Sequence, residues 1–165
     1  SVELELVEQG PFHLLYVDKM GPYHKVSDTI TKVENWAKAT QIPCSLTFGE
    51  YLDDPNKLEA DRLRARVGCL IDEAFVEKAS QSLQSQSQIE SGEHLVFETR
   101  EMKNYVKALF GGSPGIGPLK VYPKAAKFLA ANQLALSGPV IETYEIFSPS
   151  EMKTTYLFPV QKIHH

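Results

Sequence analysis

The chain lacks basic runs, is poor in cysteine and has no long apolar stretch, and each shortage closes off a class of function. Lysine and arginine number 17 against 21 carboxylates, for a net charge of -4, and the basic residues are scattered. Nucleic acid is therefore not an expected partner. Two cysteines, Cys44 and Cys69, make neither a disulfide scaffold nor a metal knuckle. They are expected as buried free thiols in a reducing compartment, which points to the cytoplasm. No apolar run is long enough to span a bilayer, so no membrane segment is expected. An anchor preceding Ser1 is left open. Five scattered histidines form no HExxH pair, and Asp53-Asp54-Pro55 lacks further ligands at calcium-loop spacing, so neither a metal nor a cofactor is expected. The segment Gly111-Gly112-Ser113-Pro114-Gly115-Ile116-Gly117 lacks the Gly-Lys-Ser/Thr ending of a phosphate loop and reads as a cleft rim. No serine or cysteine sits in a nucleophile elbow.

What is present is an ordinary globular composition, 42% hydrophobic and 23% charged, in 165 residues. That is enough chain for one large domain or two packed halves. Residues 3–18 read as a strand interrupted by Gly10-Pro11. An amphipathic helix follows on Val26, Ile30, Val33, Trp36 and Ala37, at spacings of three and four. Strands are expected over 45–52 and 62–71, the latter alternating charged and apolar residues. The Ser/Gln-rich stretch 72–93 reads as a short helix plus a connection between halves.

The pattern then returns. Short strands are expected at 95–97 and 105–110, then a helix carrying Val121, Ala125, Phe128, Leu129 and Leu134. Strands over 140–147 and 153–160 flank a turn at Ser148-Pro149-Ser150. Gly21 recurs as Gly111 or Gly112, Trp36 as Phe128, and Pro55 as Pro149. The expected fold is α+β. A βαββ half over about 4–71 and a second over about 94–161 form an antiparallel sheet, with two helices on one face and a ligand cleft on the other.

The strand Val140–Phe147 holds the most informative residue. Successive side chains alternate, so Val140, Glu142, Tyr144 and Ile146 share a face. Glu142 then lies among apolar and aromatic neighbours, where an unpartnered carboxylate is costly. Either it is enclosed in that way, on the helix-free face lining the cleft, or it is an exposed charge on an edge strand.

Four stretches carry a family resemblance: Met20-Gly21-Pro22-Tyr23, Gly49-Glu50-Tyr51-Leu52-Asp53-Asp54-Pro55, Gly138-Pro139-Val140-Ile141-Glu142-Thr143-Tyr144 and Thr155-Tyr156-Leu157-Phe158-Pro159-Val160. In this order they resemble the GyrI-like small-molecule-binding superfamily over nearly the whole chain. That superfamily includes effector-binding domains of multidrug-sensing regulators, gyrase-inhibitory proteins, hydrolases of cyclopropane-containing toxins and the soluble domain of an endoplasmic-reticulum autophagy receptor. Residues 54–73 look most like the last. The resemblance implies paired βαββ units whose cleft takes flat, hydrophobic, often cationic molecules, with Glu142 as the central acid. Two positions depart from the pattern. Leu157 stands where tyrosine is common, leaving Tyr156 and Phe158 as the aromatic wall. Glu50 replaces an uncharged residue and adds a second candidate acid.

The first functional reading is a stand-alone module that binds small hydrophobic or cationic ligands. The expectation that it stands alone rests on the lack of a helix-turn-helix segment. Glu142 would pair with the cation, while Tyr51, Phe110, Tyr156 and Phe158 stack on it; Tyr144 and Glu50 also belong to the candidate set. Trp36 is carried with them, although its place on the apolar helix stripe fits core packing better. The alternatives are a hydrolase of strained toxic molecules with Glu142 as general base, and a domain that binds a protein partner.

Overall fold

The computed structural model describes residues 2–113, 115–148 and 151–164. Pro114, Pro149 and Ser150 lie outside these residues, and with them the centre of the expected turn at Ser148-Pro149-Ser150. In chain order the elements are β1 (Glu3–Gln9), β2 (Phe12–Met20), α1 (Val26–Ala39), β3 (Leu46–Tyr51), β4 (Arg64–Ile71), α2 (Val76–Ser85), β5 (Val96–Arg100), β6 (Lys103–Gly111), α3 (Gly117–Ala131), β7 (Leu134–Leu136), β8 (Val140–Ser148) and β9 (Glu151–Lys162). The mixed α+β antiparallel class is as expected. Leu134 differs, lying on β7 rather than on the second helix.

The chain divides into two compact units, but not at the Ser/Gln-rich stretch. One, the inserted unit, is continuous from Pro11 to Glu101. The other, the split unit, joins the residues up to Gly10 with those from Met102 onward. Hydrogen bonding makes this exchange. β1 pairs with β6, placing Glu3 opposite Leu109 and Gln9 opposite Lys103. β5 pairs with β2, placing Phe12 opposite Arg100. Alternation tells a strand which faces it has, not which neighbour it joins.

In the inserted unit, β4 lies between β2 and β3, and β5 pairs with the other edge of β2; all these pairings are antiparallel. α1 buries Val26, Ile30, Val33, Trp36 and Ala37, the stripe expected from spacing. The Trp36 indole N–H donates to the Gln86 carbonyl at 2.9 Å, tying α1 to the end of α2. Gly68 is fixed by sterics: a Cβ there would lie 2.0 Å from the Leu15 carbonyl oxygen on the neighbouring strand.

The expected free thiols are corrected here. Cys44 and Cys69 form a disulfide, with Cα atoms 5.3 Å apart, that ties the segment after α1 to β4. Spacing hid the pairing because it depends on how the chain folds back. The argument for a reducing compartment that rested on two thiols goes with it. The cross-link spans 25 residues, a closure worth about 3 kcal/mol by chain entropy. Reduction is expected to lower the denaturant midpoint accordingly, while Cys44→Ser/Cys69→Ser is expected to show no response to reductant.

In the split unit the order is β1, β6, β9, β8, all antiparallel, with β7 on the far end of β9. α3 lies across one face. Its Val121 and Ala125 pack with Val106, Ala108, Val140, Tyr156, Phe158 and Val160, while Phe110, Phe128 and Leu129 border the cluster.

Candidate functional site

Glu142 lies on β8 directly opposite Tyr156 of β9, and Val140 of the same face packs in the cluster under α3. Val140 and Tyr144 share its face, as expected from alternation, but the face differs. Glu142 points toward the helix of its unit, not to the helix-free side. Tyr122 of α3 settles this, since its hydroxyl reaches the carboxylate. Period-two alternation assigns partners on a face and is silent about the side on which a helix will lie.

Glu142 is 8% exposed. The Tyr144 hydroxyl donates to Oε1 at 3.2 Å and the Tyr122 hydroxyl to Oε2 at 3.4 Å, both long for such bonds. Among the described residues no lysine, arginine or histidine forms an ion pair with it. Burial pushes its pKa up from the usual 4.5 to about 7, while the two phenols pull the other way. The result is an acid that titrates near neutral pH rather than in the usual carboxylate range.

Aromatic rings flank it. Tyr156 and Phe158 stack with centroids 6.5 Å apart, and Tyr122 meets their rings edge-on at 6.0 and 5.4 Å. This packing needs Gly117 at the start of α3. A Cβ there would come within 2.1 Å of the Tyr156 hydroxyl and 3.3 Å of the Phe110 ring. Thr154 shares the face, opposite both Tyr144 and Phe110. It is fully buried, and its hydroxyl oxygen has no hydrogen-bond partner among the described residues.

Glu142, Tyr144, Tyr156, Phe158 and Phe110 thus come together in the split unit. Tyr122 joins them without having been singled out. Its signal is weak: on a helical wheel it borders the stripe of Val121 and Ala125, a position compatible with either core or solvent.

The remaining candidates lie in the inserted unit and do different work. Glu50 is 1% exposed and belongs to an ion cluster. Its Oε1 accepts from Arg66 Nη1 and Arg100 Nη2, both at 2.9 Å, and its Oε2 from Arg100 Nη1 at 2.6 Å. Arg100 also donates to Glu98 at 2.8 Å, and the Arg66 guanidinium lies 5.8 Å from the Tyr16 ring centroid. Bonding to Glu50 drives the Arg100 pKa further above its usual range. Burial, with Glu98 nearby, raises Tyr16 to about 12. Glu50, expected as a second ligand-facing acid, thus already has its charge matched by two guanidiniums. Tyr51 packs against Tyr23 with centroids 4.7 Å apart, and buried Trp36 serves the α1 core. Among the described residues no group of three or more His, Cys, Asp or Glu side chains could hold a metal ion.

The family model of the GyrI-like small-molecule-binding domain matches residues 3–161. The chain belongs to this family. This GyrI-like domain is 34% identical over 68 residues to a DNA gyrase inhibitor of Pectobacterium carotovorum subsp. carotovorum (strain PC1), covering 41% of this chain and 43% of that protein. It spans less than half the length of the curated relatives it matches. Among solved structures, the C-terminal domain of EcmrR superposes with a TM-score of 0.71 at 14% identity, covering 98% of this chain and 99% of that one. SAV2435 bound to tetraphenylphosphonium superposes at 0.56 and 11% identity, covering 96% and 94%. At such identities the likeness is one of fold. Among the described residues no helix of the domain is long and apolar enough to cross a membrane.

Proposed function

We propose that the GyrI-like domain binds hydrophobic organic cations at Glu142, with Tyr122, Tyr144, Tyr156 and Phe158 around the ligand. One observation carries this reading: a buried carboxylate whose partners are tyrosine hydroxyls, with no cationic side chain paired to it among the described residues. A buried charge is normally matched by an opposite one, and here the match would come with the ligand. The flanking rings supply cation–π contacts of roughly 0.5–2 kcal/mol each. Tetraphenylphosphonium in SAV2435 supports the choice of ligand class, and the fully buried Thr154 hydroxyl offers a polar contact beyond the charge.

The cation pairs with ionised Glu142 only, so binding is coupled to loss of its proton. The affinity for tetraphenylphosphonium, measured by calorimetry, is expected to level off above pH 7. Below that it should fall toward tenfold per pH unit, since the carboxyl is raised to about 7. Glu142→Gln is expected to bind at least tenfold more weakly at pH 8 and to show no such slope. Equal affinity in the mutant at pH 8 would remove Glu142 from the site.

The same raised pKa supports a second reading, since a carboxyl titrating near neutrality suits a general base. Incubation with a strained cyclopropane electrophile checks it. Turnover by the wild type and none by Glu142→Gln is the expected pattern, and no turnover by the wild type removes the hydrolase.

A further inference from the structure

Charge is distributed unevenly along this acidic chain. The inserted unit carries ten cationic side chains and fifteen carboxylates, the split unit seven lysines and six carboxylates. Within the split unit, Met102 to Ile141 holds five lysines and no acid at all. Three of those lysines, Lys120, Lys124 and Lys127, are exposed and recur at spacings of four and three along one flank of α3.

The outward face of α3 beside them is apolar. Val121 and Ala125 face the core, which turns Leu119, Pro123, Ala126 and Ala130 to solvent, and all four are exposed. Leu119 is 75% exposed and Ile116, at the N-terminal end, 49%. A helix normally sets acids and amides on its solvent face; this one sets small and apolar residues there, with lysines along the border.

We propose that the outward face of α3 is a docking surface for an anionic lipid bilayer. Charge complementarity selects the occupant, because the rim carries cations only. Shape favours lipid over an acidic protein. The face is a single helix of alanine, proline and leucine, and the aromatic beside it, Tyr122, turns its hydroxyl to Glu142, so the face lacks the aromatic anchor that a protein interface concentrates its energy on. A fluid interface needs neither: it takes an apolar face lying flat with lysines reaching to the head groups. Leu119 and Ile116 enter the boundary, and Lys120, Lys124 and Lys127 lie at the phosphates.

The test is sedimentation of the full chain with phosphatidylcholine vesicles, alone or with 30% phosphatidylserine. Each lysine near an anionic surface contributes roughly fivefold in partitioning. Binding to the anionic vesicles is expected to exceed that to neutral ones by on the order of a hundredfold at low salt, and to weaken as salt is raised. Lys120→Glu/Lys124→Glu/Lys127→Glu should abolish the difference, and Leu119→Ser should weaken binding severalfold with its salt dependence intact. All these side chains are exposed, so the thermal melting point is expected to stay within a few degrees, which shows that the variants fold. Equal partitioning to both vesicles, or unchanged sedimentation of the charge-reversed variant, overturns the proposal. So does a solution dimer dispersed by Leu119→Ser without vesicle binding, which would make a second copy the occupant.

Discussion

Glu142→Gln is expected to make the domain more stable at pH 8, by about 1–3 kcal/mol, and to leave stability nearly unchanged at pH 4. The carboxyl's folded pKa is raised by burial from 4.5 to about 7, so the folded state holds its proton more tightly than the unfolded chain does. The stability this confers is fully present below about pH 4.5. It is lost as pH rises through about 7, because the folded protein must then keep a charge out of water. A shift of that size corresponds to about 3 kcal/mol at most, less about 1 kcal/mol for a tyrosine bond that the amide does not replace. Glutamine resembles the protonated acid and carries no such penalty. Urea unfolding of both proteins at pH 4 and pH 8 reads the difference directly. Equal destabilisation of the mutant at both pH values would mean that the carboxylate is matched by a cation in the folded protein.

Glu50→Ala is expected to move stability the other way, by about 3–5 kcal/mol of destabilisation at neutral pH. Glu50 is 1% exposed, but two guanidiniums neutralise it, and the Arg100 side chain is only 17% exposed. Removing the acid takes the bidentate partner from Arg100, leaving it Glu98 at 2.8 Å, and leaves Arg66 with the weaker contact to Asp18 at 3.6 Å. Most of the cost is the stranded charge rather than the value of the pair. The double variant Glu50→Leu/Arg100→Met is therefore expected to recover much of what Glu50→Ala loses. If the double variant is as unstable as the sum of its single changes, the two residues are not a coupled pair.

These opposite signs mark the limit of what was legible in the sequence. Glu50 and Glu142 look alike there, each on a strand with tyrosine close by. What separates them is Arg66 and Arg100, 16 and 50 residues beyond Glu50, and the lack of such partners at Glu142 among the described residues. Strand and helix positions were largely readable because burial imposes a period on local sequence, as the α1 stripe of Val26, Ile30, Val33 and Trp36 shows. Features made by chain return were not readable: the Cys44–Cys69 bridge, the pairing of β1 with β6, and the approach of Tyr122 to Glu142. That Val140 and Tyr144 share the face of Glu142 followed from alternation. Its place under α3 required knowing which side the helix takes.

The exchange of β1 and β5 bears on the order in which the chain folds. Pairing Glu3 with Leu109 brings together residues about a hundred positions apart, a contact that is slow to find in an open chain. Within the continuous stretch from Pro11 to Glu101, the pairings of β4 close over shorter separations, Tyr51 lying opposite Ala65 and Met20 opposite Arg64. Once it folds, the β2–β5 ladder sets Phe12 beside Arg100, and the segments leaving at either end start side by side. Gln9 then meets Lys103 across a gap of a few residues, and β1 and β6 can zip outward from that point. A distant contact becomes a local one, with the inserted unit acting as the template that shortens the search.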